Sequence, residues 1–388
     1  MICTNFARNN ITIMNSIEIK RVTNKQGLKQ FIRFYYDLYR GSKYAVPFLA
    51  FDEWNTLNRK KNPSFECCDT EYFMAWRDGK PVGRVAAIIN KRANERWGRR
   101  LVRFGWFDFV DDIEVSKALL QAVENWGKAQ GMTEIAGPLG FTDMDKEGLL
   151  VEGYEYLAPF TVIYNYPYYG VRLEELGFVK DADWTQKIVD IPAGDIPQLQ
   201  YAKLVEERFG LHVLTGMSMK EMGKKYGMDL FHLINKSFEE LYEYSPLSDR
   251  QIESYLKVYI PILNKDFVAV VVDADDKVAG FAFCVPTLSR AFQKAGGRLL
   301  PFGFIHILKA LRKTDTIDAL MIGVLPEYQG KGASVLIFKY LLDSCHKYGV
   351  TRMMANPQLE TNHKVQNVFN GLLETHEFQR RRSYVKTL

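Results

Sequence analysis

The chain has 388 residues, 47% hydrophobic and 25% charged, with a formal net charge of +5. That length allows two domains of ordinary size, and the composition is that of a soluble globular protein. The small positive balance suits an anionic ligand and gives no ground for nucleic-acid binding. Five cysteines (Cys3, Cys67, Cys68, Cys284 and Cys345) lack a metal-ligand spacing, and adjacent Cys67 and Cys68 make a poor disulfide. A reducing, cytoplasmic setting is expected.

In chain order, residues 1–15 are polar and lack the apolar core of a signal peptide. Met14 is an alternative start, because Ser16–Val22 already reads as a strand. Glu71–Trp76 and Val82–Ile89, separated by Asp78-Gly79-Lys80, read as a hairpin. The strand Gly105–Val110 then runs into Asp111, Asp112 and Glu114 and a helix. The stretches Gly137–Gly153 and Tyr164–Tyr169 are dense in turn residues and polar aromatics. Such loops line pockets or simply pack tyrosines on the surface. Trp184–Asp190 reads as a charged strand, and Ile191–Pro197, with two prolines and a glycine, reads as a linker.

Beyond the linker, Met219–Tyr226 and Leu230–Tyr242 have helical spacing. A second hairpin pairs Phe267–Val272 with Val278–Val285 across Asp275-Asp276-Lys277. Leu299–Leu311 is the most lipophilic segment, too short to span a bilayer and interrupted by His306 and Lys309. It reads as a helix packed on the core, with a peripheral membrane contact or an acyl-chain wall as alternatives. The strand Ala319–Val324, a glycine-rich loop, the helix Val335–Tyr348 closed by Gly349, and the strand Thr351–Ala355 follow. Leu359–Asn362, a helix over His363–Leu373 and a last strand over Arg382–Lys386 complete the chain.

The two hairpins look like copies of one another. Asp275 lies 197 residues after Asp78 in matching turns, and Phe378 lies 200 residues after Phe178 ahead of matching last strands. Independent landmarks with nearly equal offsets indicate a tandem duplication. The expected fold class is α/β with mixed sheets, in two domains over 1–195 and 196–388.

The chemistry is concentrated in Ile322–Ser334. A strand ends at Val324, Gly330 and Gly332 free the backbone, and a helix opens at Ala333. Backbone N–H groups and the positive end of the helix dipole then converge on one point, a cradle for a pyrophosphate. The first copy has Asp111, Asp112 and Glu114 in the matching place, which would repel a diphosphate. It is the degenerate copy.

Gln329, Gly330, Lys331, Gly332, Ala333 and Ser334, with the lead-in Pro326-Glu327-Tyr328, resemble the Q/R-x-x-G-x-G/A signature of the GNAT acyltransferase superfamily. Ser334 departs from the usual Gly or Ala. The resemblance covers most of the chain and is to the bacterial two-domain type. It implies tandem GNAT folds and transfer of an acyl group from acetyl-CoA or a longer acyl-CoA to a primary amine by direct attack. It also implies that Ile322 and Val324 border the pantetheine arm and that the Val324 N–H holds the oxyanion.

Asn362 stands where GNAT enzymes often contact CoA, and it equally suits a helix cap. A carboxylate six residues before the oxyanion donor often serves as base in GNAT enzymes. Asp318 holds that position, and even strand spacing places it on one face with Leu320, Ile322 and Val324. An ordinary polar residue at a strand start is its other reading, and Glu239, Glu240 and Glu360 are rival bases. Phe369 stands where a tyrosine usually protonates the leaving thiolate, which leaves Tyr384 as a candidate acid.

The six histidines show no metal-ligand spacing, so no metal is expected. The motifs Leu299–Gly303 and Leu359–Asn362 also look like those of bacterial relatives that acylate lipid amines such as sphingoid bases. Two alternatives stay open: a Fem-like transferase using aminoacyl-tRNA, and a non-catalytic CoA-binding or scaffold protein.

Overall fold

The structure is a computed structural model that describes residues 16–363 and 373–388. The helix expected from His363, with Phe369 in it, therefore lies outside the described residues. The first half runs β1 (Glu18–Arg21), α1 (Lys25–Leu38), α2 (Ala50–Leu57), β2 (Cys68–Arg77), β3 (Lys80–Asn90) and α3 (Lys91–Trp97). It continues with β4 (Leu101–Phe109), α4 (Ile113–Ala129), β5 (Glu134–Gly137), β6 (Leu149–Glu152), α5 (Tyr168–Glu175) and β7 (Val179–Asp190). The second half opens with α6 (Ala202–Phe209), β8 (His212–Val213), α7 (Met219–Phe238), α8 (Asp249–Tyr259), β9 (Val268–Val272) and β10 (Val278–Pro286). It then runs α9 (Ser289–Ala295), α10 (Gly303–Arg312), β11 (Thr316–Val324), α11 (Ala333–Tyr348), β12 (Arg352–Ala355), β13 (Gln358–Leu359) and β14 (Thr375–Thr387).

All described strands form one mixed α/β sheet, ordered β1-β2-β3-β4-β5-β14-β7-β12-β11-β10-β9-β8, with β6 beside β14 and β13 beside β7. The order repeats an architecture. In each half a hairpin (β2–β3, β9–β10) leads to an antiparallel third strand (β4, β11). A crossover helix then leads to a short parallel fourth strand (β5, β12). Crossovers of this kind need a helix on one face, and α4 and α11 supply it.

The last strand of each half crosses over. β7, from the first half, pairs with β12 of the second. β14, from the second half, pairs with β5 of the first. β7 and β14 pair with each other over ten positions between them.

Burial follows the pattern of each element. β9 reads Val-Ala-Val-Val-Val and is buried throughout, because it is covered on both faces. Val268, Val270 and Val272 pack with α7, while Ala269 and Val271 pack with Leu336, Ile337 and Leu341 of α11. The two helices expected between Met219 and Tyr242 are one helix, α7, opened by a capping box in which Ser218 and Glu221 satisfy each other's backbone N–H. Gly227 does not break it; a Cβ there would lie 2.9 Å from Leu256, so the glycine lets α8 pack closely. The helix stops at Phe238, which leaves Glu239, Glu240 and Tyr242 outside it.

Leu299–Leu311 departs from the expected core helix. Residues 299–302 form a turn before α10, and much of the segment is exposed. Only Ile307, Ala310 and Leu311 pack on the first-half core. Among the described residues, no helix is long and apolar enough to cross a membrane.

The crossed strands generate a prediction. A fragment over 16–195 lacks the partner of β5, and one over 196–388 lacks the partner of β12. Each expressed alone should expose an unpaired sheet edge and aggregate. Co-expressed, the two should co-elute as one folded complex by gel filtration and circular dichroism.

Candidate active site

The centre of the site is a defect in β11. Its register on β10 pairs Met321 with Phe283 but Ala319 with Cys284, so Leu320 is the extra residue of a bulge. The bulge reverses the face alternation. Leu320 and Met321 pack with the α7 core, whereas Ile322 and Val324 pack towards α11. The expectation that Asp318 and Val324 share a face is therefore corrected: an odd insertion between them breaks the period of two.

The same region parts from β12. Parallel pairing ends at Ala319–Ala355, and the Asn356 side chain bonds Leu320 O at 3.1 Å as the strands separate. Leu325 N donates to Ala279 O on β10, so by antiparallel alternation the Val324 N–H and C=O point to the open side. The Val324 carbonyl accepts from Gln329 Nε2 at 3.2 Å, consistent with that direction.

The loop lies against this strand end. Pro326–Tyr328 makes one 3₁₀ turn, and the Tyr328 hydroxyl donates to Asp273 at the β9–β10 turn. Gly330 and Gly332 adopt φ of +75° and +83°, where a side chain is strained. A Cβ at Gly332 would also lie 2.6 Å from Val205 of α6. Gly332 is the N-cap of α11, with no side-chain cap bond, so the first-turn N–H groups at Ala333 and Ser334 have no intrahelical acceptor.

The first half shows why its copy is degenerate. Asp112 caps α4 by accepting from Glu114 N, and it pairs with Arg77 at 2.5 Å. The parting of β4 from β5 is occupied by the chain itself: Leu139 N donates to Phe104 O. A Cβ on Gly105 would lie 2.5 Å from Leu139 O.

From the open side of β11 a cavity of about 720 Å³ runs between the halves. Its second-half wall includes Leu320, Met321, Ile322, Asn356 and Asn362, with Phe231 of α7 and Tyr255 of α8. Its first-half wall carries Phe48, Trp106 and the β5–β6 loop from Asp143 to Glu147. The loop adds Asp143, Asp145, Lys146 and Glu147 to a wall that also carries Asp52, Glu53, Arg84 and Asp108. Asp145 is anchored, accepting from Phe141 N at 2.8 Å and Thr142 N at 3.1 Å.

Asp143 and Glu147 are not anchored in the same way. Asp143 Oδ1 and Glu147 Oε1 are buried atoms with no hydrogen-bond partner. Burial pushes the Asp143 carboxyl up to about 7, with Arg103 opposing. Burial and then the charge of Asp143 push Glu147 well above the usual carboxylate range. Both carboxyls therefore keep their protons to higher pH than an exposed carboxylate would. Burial lowers the neighbouring Lys146 ammonium to about 8. From the sequence this loop either lines a pocket or packs on the surface, and its carboxylates carry no assigned role there; the alternation Asp143, Asp145, Glu147 in a turn-rich run was the available signal.

The other proposed acids and bases are dispersed. Asp318 is buried, with a pKa pushed up to about 7 by burial, but it is not on the cavity wall. Neither of its oxygens makes a hydrogen bond of ordinary geometry. Glu239 lies beyond α7, where Lys236 at 2.9 Å holds its carboxyl below the usual range, which disfavours it as a base. Glu360 pairs with Lys180 at 2.5 Å and Arg380 at 3.6 Å. Tyr384 is buried in the first-half core and donates to Glu174, away from the cavity; as a thiolate acid it is set aside.

Residues 228–372 match the model of the acetyltransferase (GNAT) family. Protein YghO of Escherichia coli (strain K12) is 26% identical over 382 residues, 95% of each chain. A bacterial ceramide synthase of Caulobacter vibrioides is 26% identical over 348 residues, 88% of this chain and 89% of that one. A tandem GNAT protein from the clavulanic acid biosynthesis pathway superposes with a TM-score of 0.56 at 12% identity, over 96% of this chain and 98% of its own. A GCN5-related N-acetyltransferase from Sphaerobacter thermophilus gives 0.50 at 10% identity, over 96% and 95%. The loop and parted strand thus sit within the residues that match the GNAT acetyltransferase family, inside a fold similar to that of a tandem GNAT protein.

Proposed function

We propose that this protein transfers a long acyl chain from acyl-CoA to the primary amine of a lipidic acceptor, with its domains over 1–195 and 196–388. The observation that carries this reading is the cavity of about 720 Å³ at the parted strand. It lies well within the size of small-molecule sites, roughly 300–1,000 Å³, and an acetyl group would leave most of it empty. The relative named a bacterial ceramide synthase supports the lipid-amine side of the proposal.

The residues fit a CoA thioester. The uncapped first turn of α11 at Ala333 and Ser334, with Gly330, Gly332 and Lys331, suits a diphosphate. The open edge at Ile322 and Val324 suits an extended amide-bearing arm, which would add like a strand. Gln329 ties that edge to the loop. The Val324 N–H would then hold the oxyanion as the amine nitrogen bonds to the thioester carbon and the C–S bond breaks.

An alkyl ammonium has a pKa of about 10, near that of lysine, and must lose a proton before attack. In our reading the Asp143–Glu147 pair takes it. Both line the same cavity, each has a buried oxygen with no hydrogen-bond partner, and the Asp143 carboxyl is raised to about 7. Asp318 shares the raised pKa but lacks access to the cavity.

Four measurements test these assignments. Palmitoyl-CoA should exceed acetyl-CoA in kcat/KM by at least roughly a hundredfold with a sphingoid-type amine, since burying only three or four of its extra CH₂ groups at about 0.8 kcal/mol each supplies that factor. Equal or reversed preference would overturn the long-chain reading.

Ser334→Glu should weaken CoA binding at least roughly tenfold by calorimetry while leaving Tm unchanged, because an acidic residue suits a helix N-terminus but repels a phosphate. Unchanged affinity would remove the loop from the donor site.

Asp143→Asn with Glu147→Gln should lower kcat by about 10²-fold or more and flatten the acid limb of the pH profile near 7. Asp318→Asn should stay within about threefold of the parent, since base catalysis needs reach. The carboxyl pKa of Asp143 is raised on folding, so the folded state keeps a proton that the unfolded chain has released above pH about 4. Stability therefore falls as pH rises from there through about 7, and the double variant should melt higher than the parent at neutral pH.

A further inference from the structure

Beside the cavity lies a surface that does not resemble a solvated one. Leu300 is 76% exposed, Phe302 68% and Phe51 66%. Leu299, Phe304, Ile305 and Leu308 are exposed beside them in sequence, so α10 presents an apolar face outward and packs inward only through Ile307, Ala310 and Leu311. Phe51 joins the patch from α2, because Ala50 N donates to Gly297 O at 2.9 Å. Contiguous exposed apolar groups of this kind mark interaction sites.

The charges around the patch specify the partner. From Thr287 to Thr314 the chain carries Arg290, Lys294, Arg298, Lys309, Arg312 and Lys313, and no Asp or Glu. All six are exposed, and none forms an ion pair within the described residues. Lys61 lies 5.8 Å over the Phe51 ring. The acids nearest Phe51, Asp52 and Glu53, belong to the cavity wall. An apolar helix face rimmed by cations is what an anionic bilayer surface recognises: apolar groups enter the acyl boundary and Lys and Arg meet the headgroups.

We infer that Phe51 and Leu299–Leu308, with the surrounding Lys and Arg residues, dock this protein on an anionic phospholipid membrane. Phe51 also lines the cavity, so the docked face adjoins a mouth of the site. A lipid substrate would pass from the bilayer into the cavity at Phe51 without crossing water. That delivery route rests on the proposed lipid substrate, whereas the docking does not.

The test uses the full-length protein with no substrate. It is sedimented with phosphatidylcholine vesicles and with vesicles of phosphatidylcholine and phosphatidylglycerol in equal amounts. The wild type should bind the anionic vesicles at least roughly tenfold more tightly, with affinity falling as salt rises. Leu300→Asp with Phe302→Asp should abolish binding while preserving Tm, because both side chains are already in solvent. Lys309→Glu with Arg312→Glu should remove the preference for anionic lipid. Wild type left in the supernatant, or an aspartate variant that binds as well as the parent, would overturn the inference. So would a wild-type dimer in sedimentation equilibrium that the aspartate variant dissociates, which would make the patch an interface between copies. Since no acyl transfer is read, failure here is separate from failure of the proposed reaction.

Discussion

The pairing of β7 with β14 is the constraint on which the rest of the structure depends. Ten paired positions join the final strand of one half to the final strand of the other. Each strand then finds its remaining neighbour in the opposite half. Sheet hydrogen bonding thus runs unbroken from β1 to β8, and neither half can complete its ladder alone. Arg381 sits at the heart of this pairing, fully buried, with Nε on Gln186 at 2.8 Å and a guanidinium nitrogen on Ile163 O at 2.6 Å. Because the strands are shared, the space between the halves has fixed walls.

Duplication gave both halves the same opening, and each half then used it differently. A bulge interrupts β3–β4 as another interrupts β10–β11, and in both the parallel partner is short. In the first half the chain after Gly137 fills the gap, and Asp112 occupies the helix end. In the second half the gap stays open and the helix end stays uncapped. One copy became a wall and the other kept an open strand edge beside an uncapped helix end. The wall contributes the β5–β6 loop, which places carboxylates opposite the parted strand in a cavity neither half encloses by itself.

Those carboxylates run against the general tendency to satisfy buried polar groups. Folding alone does not require Asp143 and Glu147 each to keep a buried oxygen unsatisfied, and a chain selected only for stability would have replaced or paired them. Unsatisfied polar atoms that line a roomy cavity are instead what a site awaiting a cationic or hydrogen-bonding ligand contains. The apolar face of α10 departs from the stable pattern in a parallel way. It leaves Phe304, Ile305 and Leu308 exposed, and the turn before it adds Leu300 and Phe302.

The local features were legible in the sequence because local rules write them. Both hairpins, the glycine loop between Val324 and Ala333, the helix to Tyr348 and the repeat offset all follow from periodicity, turn chemistry and spacing within a few residues. The limits of that reasoning are equally specific. Regular alternation could not foresee the bulge at Leu320, so it put Asp318 on the wrong face. Amphipathic counting placed Leu299–Leu311 in the core, because apolar residues do not declare whether they will meet protein or solvent. The candidate acid Tyr384 and the rival base Glu239 went to separate regions once the strands crossed. The sequence by itself determined the glycine loop and the doubled architecture, which depend on backbone freedom and short-range pattern. Only the tertiary structure decided which carboxylates face the cavity and which apolar face stays bare, because both depend on pairings between residues some two hundred positions apart.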